Sequence, residues 1–223
     1  MQAAPDKKNM LMRRIKKLGF PTVVGQVMFQ LSVPKLLSIS SKDRIAEIKR
    51  EYELDDTPIP EEKIIRVQSV NDDHCRESLQ ALHPDVVLVS GTSIIGKKTL
   101  ESVSCPFINT HAGITPKYRG VHGAYWALAN GDQSNCGVTV HLVDTGIDTG
   151  GILFQKCIPY TDKDNFTTYP LLQQAEGIRL MKIAIKDALA GTLKVISSPV
   201  ESKLWSHPTI WQYLYKRSTL GVK

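Results

Sequence analysis

The sequence predicts an α/β fold with a Rossmann-like, mainly parallel sheet flanked by helices. Short runs of β-branched and apolar residues alternate with helix-length segments whose apolar residues recur at spacings of three and four. This alternation is typical of parallel sheets. Of the 223 residues, 42% are hydrophobic and 22% are charged, which is the composition of an ordinary globular protein. Disordered, collagen-like and coiled-coil architectures are therefore excluded.

The predicted strands and helices follow one another with short turns between them. The clearest strand is 85–90, because a short continuous apolar run is typical of a strand buried on both faces. The longest helix is predicted from Asp164 or Asn165 to the residues before Gly191, on its three-and-four spacing. The remaining elements are a strand over 63–70, a helix capped by Asn71 or Asp72 and ending near Leu82, a strand over 106–109, a helix over 120–129, and strands over 137–143 and 152–158.

Most of the positive charge lies near the start of the chain. The net charge is +6, and residues 7–42 contain eight Lys or Arg and no acid, whereas residues 43–223 contain 20 basic and 21 acidic side chains. Because the body is nearly neutral, no nucleic-acid partner is expected. The basic residues alternate with apolar ones over 10–18, which predicts a short amphipathic helix. It either packs on the body as a surface helix or contacts an anionic membrane or partner.

Targeting and metal signals are weak. The uncharged segment 18–34 contains Pro21, Gln26 and Gln30, so it is too polar for a good transmembrane helix, and no transmembrane segment is expected. The four cysteines are far apart with no Cys-x-x-Cys pair, which argues against a disulfide framework and against a metal site. Reduced cysteines favour a cytoplasmic protein.

The chain is divided into three parts by composition. Residues 1–60 form a basic and charged helical segment, 61–200 the main α/β domain, and 201–223 an aromatic tail. Three interpretations of the tail remain open: packing on the body, a subunit contact, or stacking on a nucleotide base. Its aromatic residues are Trp205, Trp211, Tyr213 and Tyr215.

The candidate chemistry lies in two polar, glycine-containing segments, 108–120 and 137–151, at the ends of predicted strands, where α/β sheets bind their ligands. Asn109 and His111 are two residues apart on an extended segment, so their side chains point the same way. An imidazolium beside an amide donor can stabilise an oxyanion, and a carboxylate from the second segment can orient the histidine. The residues alone leave a structural role open: a buried His and Asn satisfied in a turn, and an Asp in a tight loop.

Together the two segments resemble the folate-dependent formyltransferase family. The family pattern is an Asn-x-His triplet followed by a small residue and a proline, and later a strand running into Leu/Ile-Asp-x-Gly. The resemblance covers roughly residues 64 to 190. It implies a formyltransferase-like catalytic domain over 61–200, with Asn109, His111 and Asp148 as catalytic residues. The family's carboxylate corresponds to Asp148 and not to Asp144.

The same resemblance implies 10-formyltetrahydrofolate as the formyl donor and no metal. Ile94 and Ile95 are expected to flank the pterin, while backbone groups of 144–148 bind its polar edge. The residues that the resemblance assigns to the folate are Ser90, Gly91, Thr92, Ile94, Ile95, Asp144, Thr145 and Gly146. Those that it assigns to the acceptor are Gly113, Tyr118 and Arg119.

The implied reaction is transfer of a formyl group to a primary amine on a small-molecule acceptor. An amino sugar linked to a nucleotide is favoured, because neither the C-terminal β-barrel of the methionyl-tRNA enzyme nor the opening loop of the ribonucleotide enzyme is found. The alternatives are a formyltetrahydrofolate hydrolase, in which water replaces the amine, and a non-catalytic folate- or partner-binding homologue. The last is motivated by the family's opening hydrophobic strand, which the sequence lacks, while residues 112–115 replace the usual Ser-Leu-Leu. A homodimer is left open.

Overall fold

The computed structural model describes residues 7–223, with side chains from residue 12 onward. Four α-helices precede the first strand of the sheet. The helices are α1 (Lys7–Leu18), α2 (Phe20–Ser40), α3 (Lys42–Glu51), α4 (Asp73–Leu82), α5 (Lys97–Leu100), α6 (Gly123–Ala129), α7 (Tyr169–Leu189) and α8 (Ile210–Leu220). The strands are β1 (Val87–Val89), β2 (Phe107–His111), β3 (Arg119–Gly120), β4 (Gly137–Leu142), β5 (Ile152–Cys157) and β6 (Leu204–Trp205).

The main sheet has four strands in the order β1-β2-β4-β5, and a separate pair joins β3 to β6. The predicted α/β class is confirmed. Parallel pairing holds for β1 with β2, whereas β2 with β4 and β4 with β5 run antiparallel. The sheet is therefore mixed, because the short loop 143–151 returns β5 directly beside β4, and a parallel neighbour would need a longer crossover.

The predicted strand over 63–70 is absent from the described structure. Glu61–Lys63 forms a single 3-10 turn, and the residues after it are irregular, with Ile65 53% exposed. A strand needs a hydrogen-bonded neighbour, and along the free edge of β1 the described residues place none. Segment 63–70 therefore has the residue pattern of a strand but does not pair with the free edge of β1.

Helix starts follow from side-chain caps and from strand pairing. Asp72 caps α4 as predicted, since its carboxylate accepts a hydrogen bond from the Cys75 backbone N–H at 2.7 Å. The helix predicted over 120–129 begins only at Gly123, because Gly120 pairs with Trp205 between β3 and β6. The pairing of β3 with β6 therefore shortens the helix that the sequence predicts.

The long helix α7 begins at Tyr169 and not at Asp164 or Asn165. The intervening residues form a turn in which the Asn165 N–H donates to the Thr168 hydroxyl at 2.8 Å. Asp164 is buried and receives two hydrogen bonds from the Arg44 guanidinium, at 2.9 and 3.0 Å. The residues predicted to cap the helix therefore stabilise the turn before it.

One aromatic cluster joins all three predicted parts of the chain. Phe29 of α2 lies edge-on to Phe166, with ring centroids 4.8 Å apart, and 5.4 Å from the Tyr213 ring of α8. Tyr125 of α6 completes the cluster at 5.3 Å from Phe166. The divisions at residues 60 and 200 therefore do not separate independent cores.

The aromatic residues of the tail differ in how far they are buried. Trp205 stacks on Trp126, with ring centroids 4.7 Å apart, and its indole N–H donates to the Lys117 carbonyl at 2.9 Å. Tyr213 is buried, whereas Trp211 and Tyr215 are exposed on α8. Packing on the body therefore accounts for Trp205 and Tyr213, whereas Trp211 contacts Gly25 of α2 with part of its ring and leaves the rest exposed.

Among the described residues, one helix is long and apolar enough to cross a membrane, and it is α2. Only 28% of its most apolar window is buried in the protein. The expected absence of a transmembrane segment and the cytoplasmic location stay predictions.

A buried histidine pair makes stability sensitive to acid. His122 Nε2 lies 2.8 Å from His207 Nδ1, and the His122 ring packs 4.4 Å from the centre of Phe166. Burial, helped by the nearby His207, lowers the pKa of His122 to about 3. Folded His122 therefore binds a proton less readily than in the unfolded chain, where the pKa is 6.5.

We expect the free energy of unfolding to fall as the pH drops below 6.5, since the unfolded chain then binds a proton that folded His122 excludes. The contribution of His122 is about 2 kcal/mol between pH 6.5 and about pH 5. His122→Asn removes the titrating group and tolerates the left-handed backbone, φ 60°. Denaturant unfolding at these two pH values should show a smaller loss of unfolding free energy for this variant than for the wild type. An equal loss in the two proteins would contradict the role given to His122.

Candidate active site

The site begins at the carboxyl end of β2, where Asn109 and His111 lie on one face of the strand. Antiparallel pairing places His141 of β4 directly opposite Asn109. Asn109 Nδ2 lies 3.2 Å from His141 Nε2, and His141 Nδ1 lies 2.6 Å from the Leu142 carbonyl oxygen. Sheet register thus brings a second histidine to the site.

His141 controls the orientation of the Asn109 amide. Burial lowers the pKa of His141, so its ring is neutral. The Leu142 carbonyl can only accept, so Nδ1 carries the proton and Nε2 accepts a hydrogen bond from Asn109. The Asn109 amide therefore keeps its NH₂ group on the His141 side, with one N–H left for a ligand. Sequence reasoning missed His141, since only the strand register places it beside Asn109.

His111 is buried between two oxygen acceptors. Its Nε2 lies 2.8 Å from the Tyr118 carbonyl oxygen, and its Nδ1 lies 3.3 Å from Asp148 Oδ2. Both oxygens accept and do not donate, so an imidazolium with both nitrogens protonated satisfies the two contacts. The shorter Tyr118 contact anchors the ring, and the Nδ1–H is the proton that faces the carboxylate.

The Asp148 carboxylate lies between the two histidines. Oδ2 accepts the Gly120 backbone N–H at 3.0 Å, and Oδ1 is 3.9 Å from His141 Nε2. Among the described residues, none donates a hydrogen bond to Oδ1. Asp148 has a left-handed backbone, φ 50°, which is uncommon outside glycine and recurs at functional positions. The loop therefore holds this carboxylate in place at a conformational cost.

Asp144 has a different role from Asp148. It is exposed, and its Oδ1 accepts hydrogen bonds from the Gly146 N–H at 2.9 Å and the Thr149 hydroxyl at 2.7 Å. Both contacts lie within its own loop, so Asp144 shapes the loop that carries Asp148. Of the two carboxylates, the structure brings only Asp148 to His111.

A cleft of about 250 Å³ opens beside this cluster. Six of the eight residues that the resemblance assigns to the folate line it: Gly91, Thr92, Ile94, Ile95, Asp144 and Gly146. Ser90 and Thr145 are not among its lining residues. Ile147 and Asp148, from the loop 144–148 whose backbone is expected to bind the pterin edge, also line it. Its other lining residues were not assigned to the folate from the sequence: Val89, Ser93, Asn109, Thr110, His141 and Val143. We call it the donor cleft.

The loop on one side of the donor cleft is held by Asn71. Its Nδ2 donates to the Ile94 carbonyl at 2.8 Å, and its Oδ1 accepts the Gly96 N–H at 2.6 Å. Ile94 is 56% exposed at the cleft, whereas Ile95 is buried beneath the loop. Of these two isoleucines, Ile94 therefore offers the larger apolar surface to a ligand.

A second cleft of about 320 Å³ shares Asp148 with the donor cleft, and we call it the acceptor cleft. Arg119 lines it and donates one hydrogen bond to the Ile147 carbonyl at 3.2 Å. The Arg119 Nε–H and the buried Thr115 hydroxyl have no partner among the described residues. Buried polar groups without partners are costly, so these two favour a polar ligand.

Two residues predicted to bind the acceptor, Gly113 and Tyr118, do not line the acceptor cleft. Tyr118 is buried and its hydroxyl donates to Asp132 at 2.8 Å, so only its carbonyl reaches the site. A Cβ at Gly113 would collide with that carbonyl and lie 2.8 Å from His111 Nε2. Gly113 therefore permits close packing beneath His111, and neither residue lines the acceptor cleft.

Across the described residues, no group of three or more His, Cys, Asp or Glu side chains could hold a metal ion. The chemistry available at the site is therefore that of two histidines, an amide and a carboxylate. These groups suit stabilisation of an oxyanion and movement of a proton between two adjoining clefts.

An α/β fold in which Asn109 and His111 of β2 meet Asp148 between two adjoining clefts has the features of a group-transfer protein. The sequence model of the formyl transferase family matches residues 27–182, and the chain belongs to this family.

Two relatives illustrate the similarity. The methionyl-tRNA formyltransferase of Thermodesulfovibrio yellowstonii is 40% identical over 102 residues, which is 45% of this chain and 33% of the relative. The methionyl-tRNA formyltransferase of Azobacteroides pseudotrichonymphae is 32% identical over 134 residues, or 60% of this chain and 41% of the relative. The chain thus spans less than half the length of either relative.

Two solved structures share the fold. A sugar N-formyltransferase from a Shewanella species aligns with a TM-score of 0.50 and 25% identity, over 61% of this chain and 54% of that chain. A 4-N formyltransferase from Francisella tularensis aligns with a TM-score of 0.51 and 22% identity, over 74% of this chain and 62% of that chain. The second similarity concerns the fold alone.

Proposed function

We propose that the chain transfers a formyl group from 10-formyltetrahydrofolate to a primary amine on a small-molecule acceptor. The observation that carries the proposal is the position of Asp148, between His111 and His141 and on the lining of both clefts. One cleft holds the formyl donor and the other holds the amine. The reacting atoms then meet at the histidines and Asp148.

The donor cleft fits a pterin by its chemistry. Ile94 presents an apolar surface, and the opposite wall is the polar backbone of the loop that carries Asp144, Gly146 and Asp148. A flat heteroaromatic ring with hydrogen-bonding edges suits such a cleft, since apolar walls bury the ring while backbone groups select its edge. The formyl group of the bound donor supplies the carbonyl carbon that the amine attacks.

Two N–H groups stabilise the oxyanion that this attack creates. Asn109 retains one Nδ2–H beyond its bond to His141, and the second donor is the His111 Nδ1–H, which Asp148 Oδ2 contacts only at a long 3.3 Å and which is shared between that carboxylate and the oxyanion. Both donors are fixed before the reaction, His111 by the Tyr118 carbonyl and Asn109 by His141. Donors held in place in this way stabilise developing charge without reorganising during the reaction.

Asp148 moves the proton. As the amine nitrogen forms its bond to the formyl carbon, it gives up a proton, which Asp148 accepts through Oδ1 or through a water. The same proton passes to the folate nitrogen as its bond to the formyl carbon breaks. Asp148 also orients the His111 ring, because its Oδ2 lies 3.3 Å from Nδ1.

An amino sugar linked to a nucleotide is the acceptor that we favour. The unpartnered Arg119 Nε–H and Thr115 hydroxyl suit an acceptor that carries oxygen acceptors or negative charge. The similar Shewanella protein is a sugar N-formyltransferase. Residues 43–223 carry 20 basic and 21 acidic side chains, so a tRNA acceptor would gain little electrostatic attraction from this body.

The testing experiment is a turnover assay with 10-formyltetrahydrofolate and a panel of amino-sugar nucleotides, with methionyl-tRNA as a further acceptor. Formyl on a sugar amine is the expected product. Formate released without an amine would assign the hydrolase activity instead. Formylated tRNA would refute the acceptor class, and folate binding with no turnover on any acceptor would indicate a non-catalytic homologue.

Ile94→Asp should weaken folate binding about tenfold or more, because a buried apolar contact with the ring is replaced by a charge. Ile65→Asp is the matched control, since Ile65 is exposed to a similar extent and does not line the donor cleft. Calorimetry with 5-formyltetrahydrofolate measures both variants against the wild type. Undetectable binding by the folded wild-type protein would disprove the donor assignment, and equal loss in both variants would disprove the role of Ile94.

A further inference from the structure

Helix α2 has apolar residues on two opposite faces. One face packs in the core through the buried residues Val23, Phe29 and Val33. The other face is uncovered along most of the helix. Its side chains are each at least 38% exposed and recur at helical spacing: Phe20, Val27, Met28, Leu31 and Ile39. Scattered apolar residues need no explanation, whereas an apolar face along one helix marks an interaction surface.

Helix α8 extends this uncovered face. A Cβ at Gly25 of α2 would collide with the Trp211 ring of α8, so the two helices meet closely at this point. From there α8 presents Trp211, Leu214 and Tyr215 to solvent. Aromatic residues of this kind are favoured where an apolar phase meets water. Because the two helices pack on each other at Gly25, their exposed apolar side chains lie on neighbouring helices.

Positive charge flanks this surface. Helix α1 is joined to α2 through Gly19, and Arg14 of α1 donates to the Gln26 side chain of α2 at 2.8 Å. Arg13, Lys16 and Lys17 are exposed on the same helix. Residues 7–42 contain eight basic side chains and no acidic one. An apolar face beside uncompensated basic residues is the pattern of helices that bind anionic membrane surfaces.

We propose that α1, α2 and α8 dock the protein on an anionic lipid bilayer, with α2 lying in the plane of the surface. Lipid headgroups complement the basic residues of α1, and the acyl region covers the apolar face. A second copy of the chain fits this surface less well, because a symmetric contact would bring the basic α1 helices together. A nucleic acid would neutralise the charge but leave the apolar face in water. The proposal does not depend on the formyl-transfer activity.

Although α2 is long and apolar enough to span a bilayer, its inner face is built into the protein. Gln26 is buried there, and its Nε2 donates to the His207 carbonyl at 2.7 Å. Spanning would remove Phe29 from the aromatic core and leave Gln26 without partners in hydrocarbon, where an unsatisfied polar group is costly. Binding in the plane of the surface keeps these contacts.

Flotation with vesicles tests the proposal on the full chain. We expect binding to vesicles of equal parts phosphatidylcholine and phosphatidylglycerol, weaker binding at high salt, and little binding to phosphatidylcholine alone. High salt or alkaline carbonate should release the protein. Resistance to both would mean that α2 spans the bilayer and would overturn the proposal, as would equal binding to the neutral vesicles.

Two variants separate the apolar and the electrostatic contributions. Leu31→Asp should weaken vesicle binding about tenfold or more. Leu82→Asp is its control on α4, because Leu82 is 64% exposed where Leu31 is 62% exposed. The double variant Lys16→Gln, Lys17→Gln should also bind vesicles more weakly, by about tenfold or more. Lys98→Gln, at an exposed lysine on α5, should change vesicle binding little. Unchanged thermal unfolding of each variant verifies that the fold is retained.

Tryptophan fluorescence gives an independent readout. Trp126 is buried and Trp205 packs on it, whereas Trp211 is exposed on the proposed surface. Anionic vesicles should shift the emission to shorter wavelength, and Trp211→Phe should abolish the shift. No binding by the folded wild-type protein would overturn the proposal. So would concentration-dependent dimers that Leu31→Asp dissociates, or binding of RNA in place of vesicles.

Discussion

Replacing His111 with alanine is expected to lower formyl transfer by on the order of 10²–10³, because it removes an N–H donor to the oxyanion. The folate affinity should change little, since His111 does not line the donor cleft. Asn109→Ala removes the second donor and should cost a similar factor. Steady-state turnover and calorimetric folate affinity, measured on the same preparations, separate catalysis from binding.

His74→Ala is the control for this result, because His74 is exposed on α4 and far in sequence from the site. His111 is buried, so the variant also loses contacts with Tyr118 and Asp148, and its thermal unfolding has to be recorded. Asn109→Ala gives a second test of the oxyanion stabilisation with less disturbance. If both variants keep turnover within a few-fold of wild type, the oxyanion mechanism is wrong for this chain.

Asp148→Asn should be the most impaired variant, with a loss on the order of 10³–10⁴, the scale seen when the carboxylate that supports a catalytic histidine becomes an amide. The substitution keeps the shape of the side chain and tolerates the left-handed backbone, φ 50°. It removes the charge beside His111 Nδ1 and the group that accepts the amine proton. Folate affinity should stay within a few-fold of wild type.

Asp144→Asn is the matched control for Asp148→Asn. An amide at this position retains the oxygen that accepts from the Gly146 N–H and the Thr149 hydroxyl, so the loop should keep its shape. Near-normal turnover is expected. If Asp144→Asn is inactive while Asp148→Asn is active, the roles of the two carboxylates are reversed and the assigned geometry of the loop is wrong.

The neutral state of His141 matters for both the Asn109 and the Asp148 variants. His141 holds the Asn109 amide by accepting its N–H, and it faces Asp148 Oδ1 across 3.9 Å. A proton on His141 Nε2 would turn that acceptor into a donor and disturb both neighbours. Burial lowers the pKa of His141, which keeps the acceptor form present at neutral pH.

Several features follow from local sequence alone. Asn109 and His111 share a face because side chains alternate along a strand, whatever the strand pairs with. Asp72 caps α4 because its carboxylate reaches an N–H three residues away. Three-and-four spacing predicts the long helix α7, although its first turn is displaced by the bonds of Asp164 and Asn165. The resemblance to the family, carried by contiguous motifs, selected Asp148 over Asp144.

Other features depend on contacts between distant parts of the chain. His141 joins the site only through the register that sets it opposite Asn109, and Tyr118 serves the site through its carbonyl while its side chain is buried. Segment 63–70 has the pattern of a strand but no neighbour with which to pair. Trp205 packs inward and Trp211 outward, although both belong to one aromatic tail. Periodicity encodes which residues share a face, because it follows from backbone geometry. Which element that face meets depends on packing of the whole chain, so only the tertiary structure decided it.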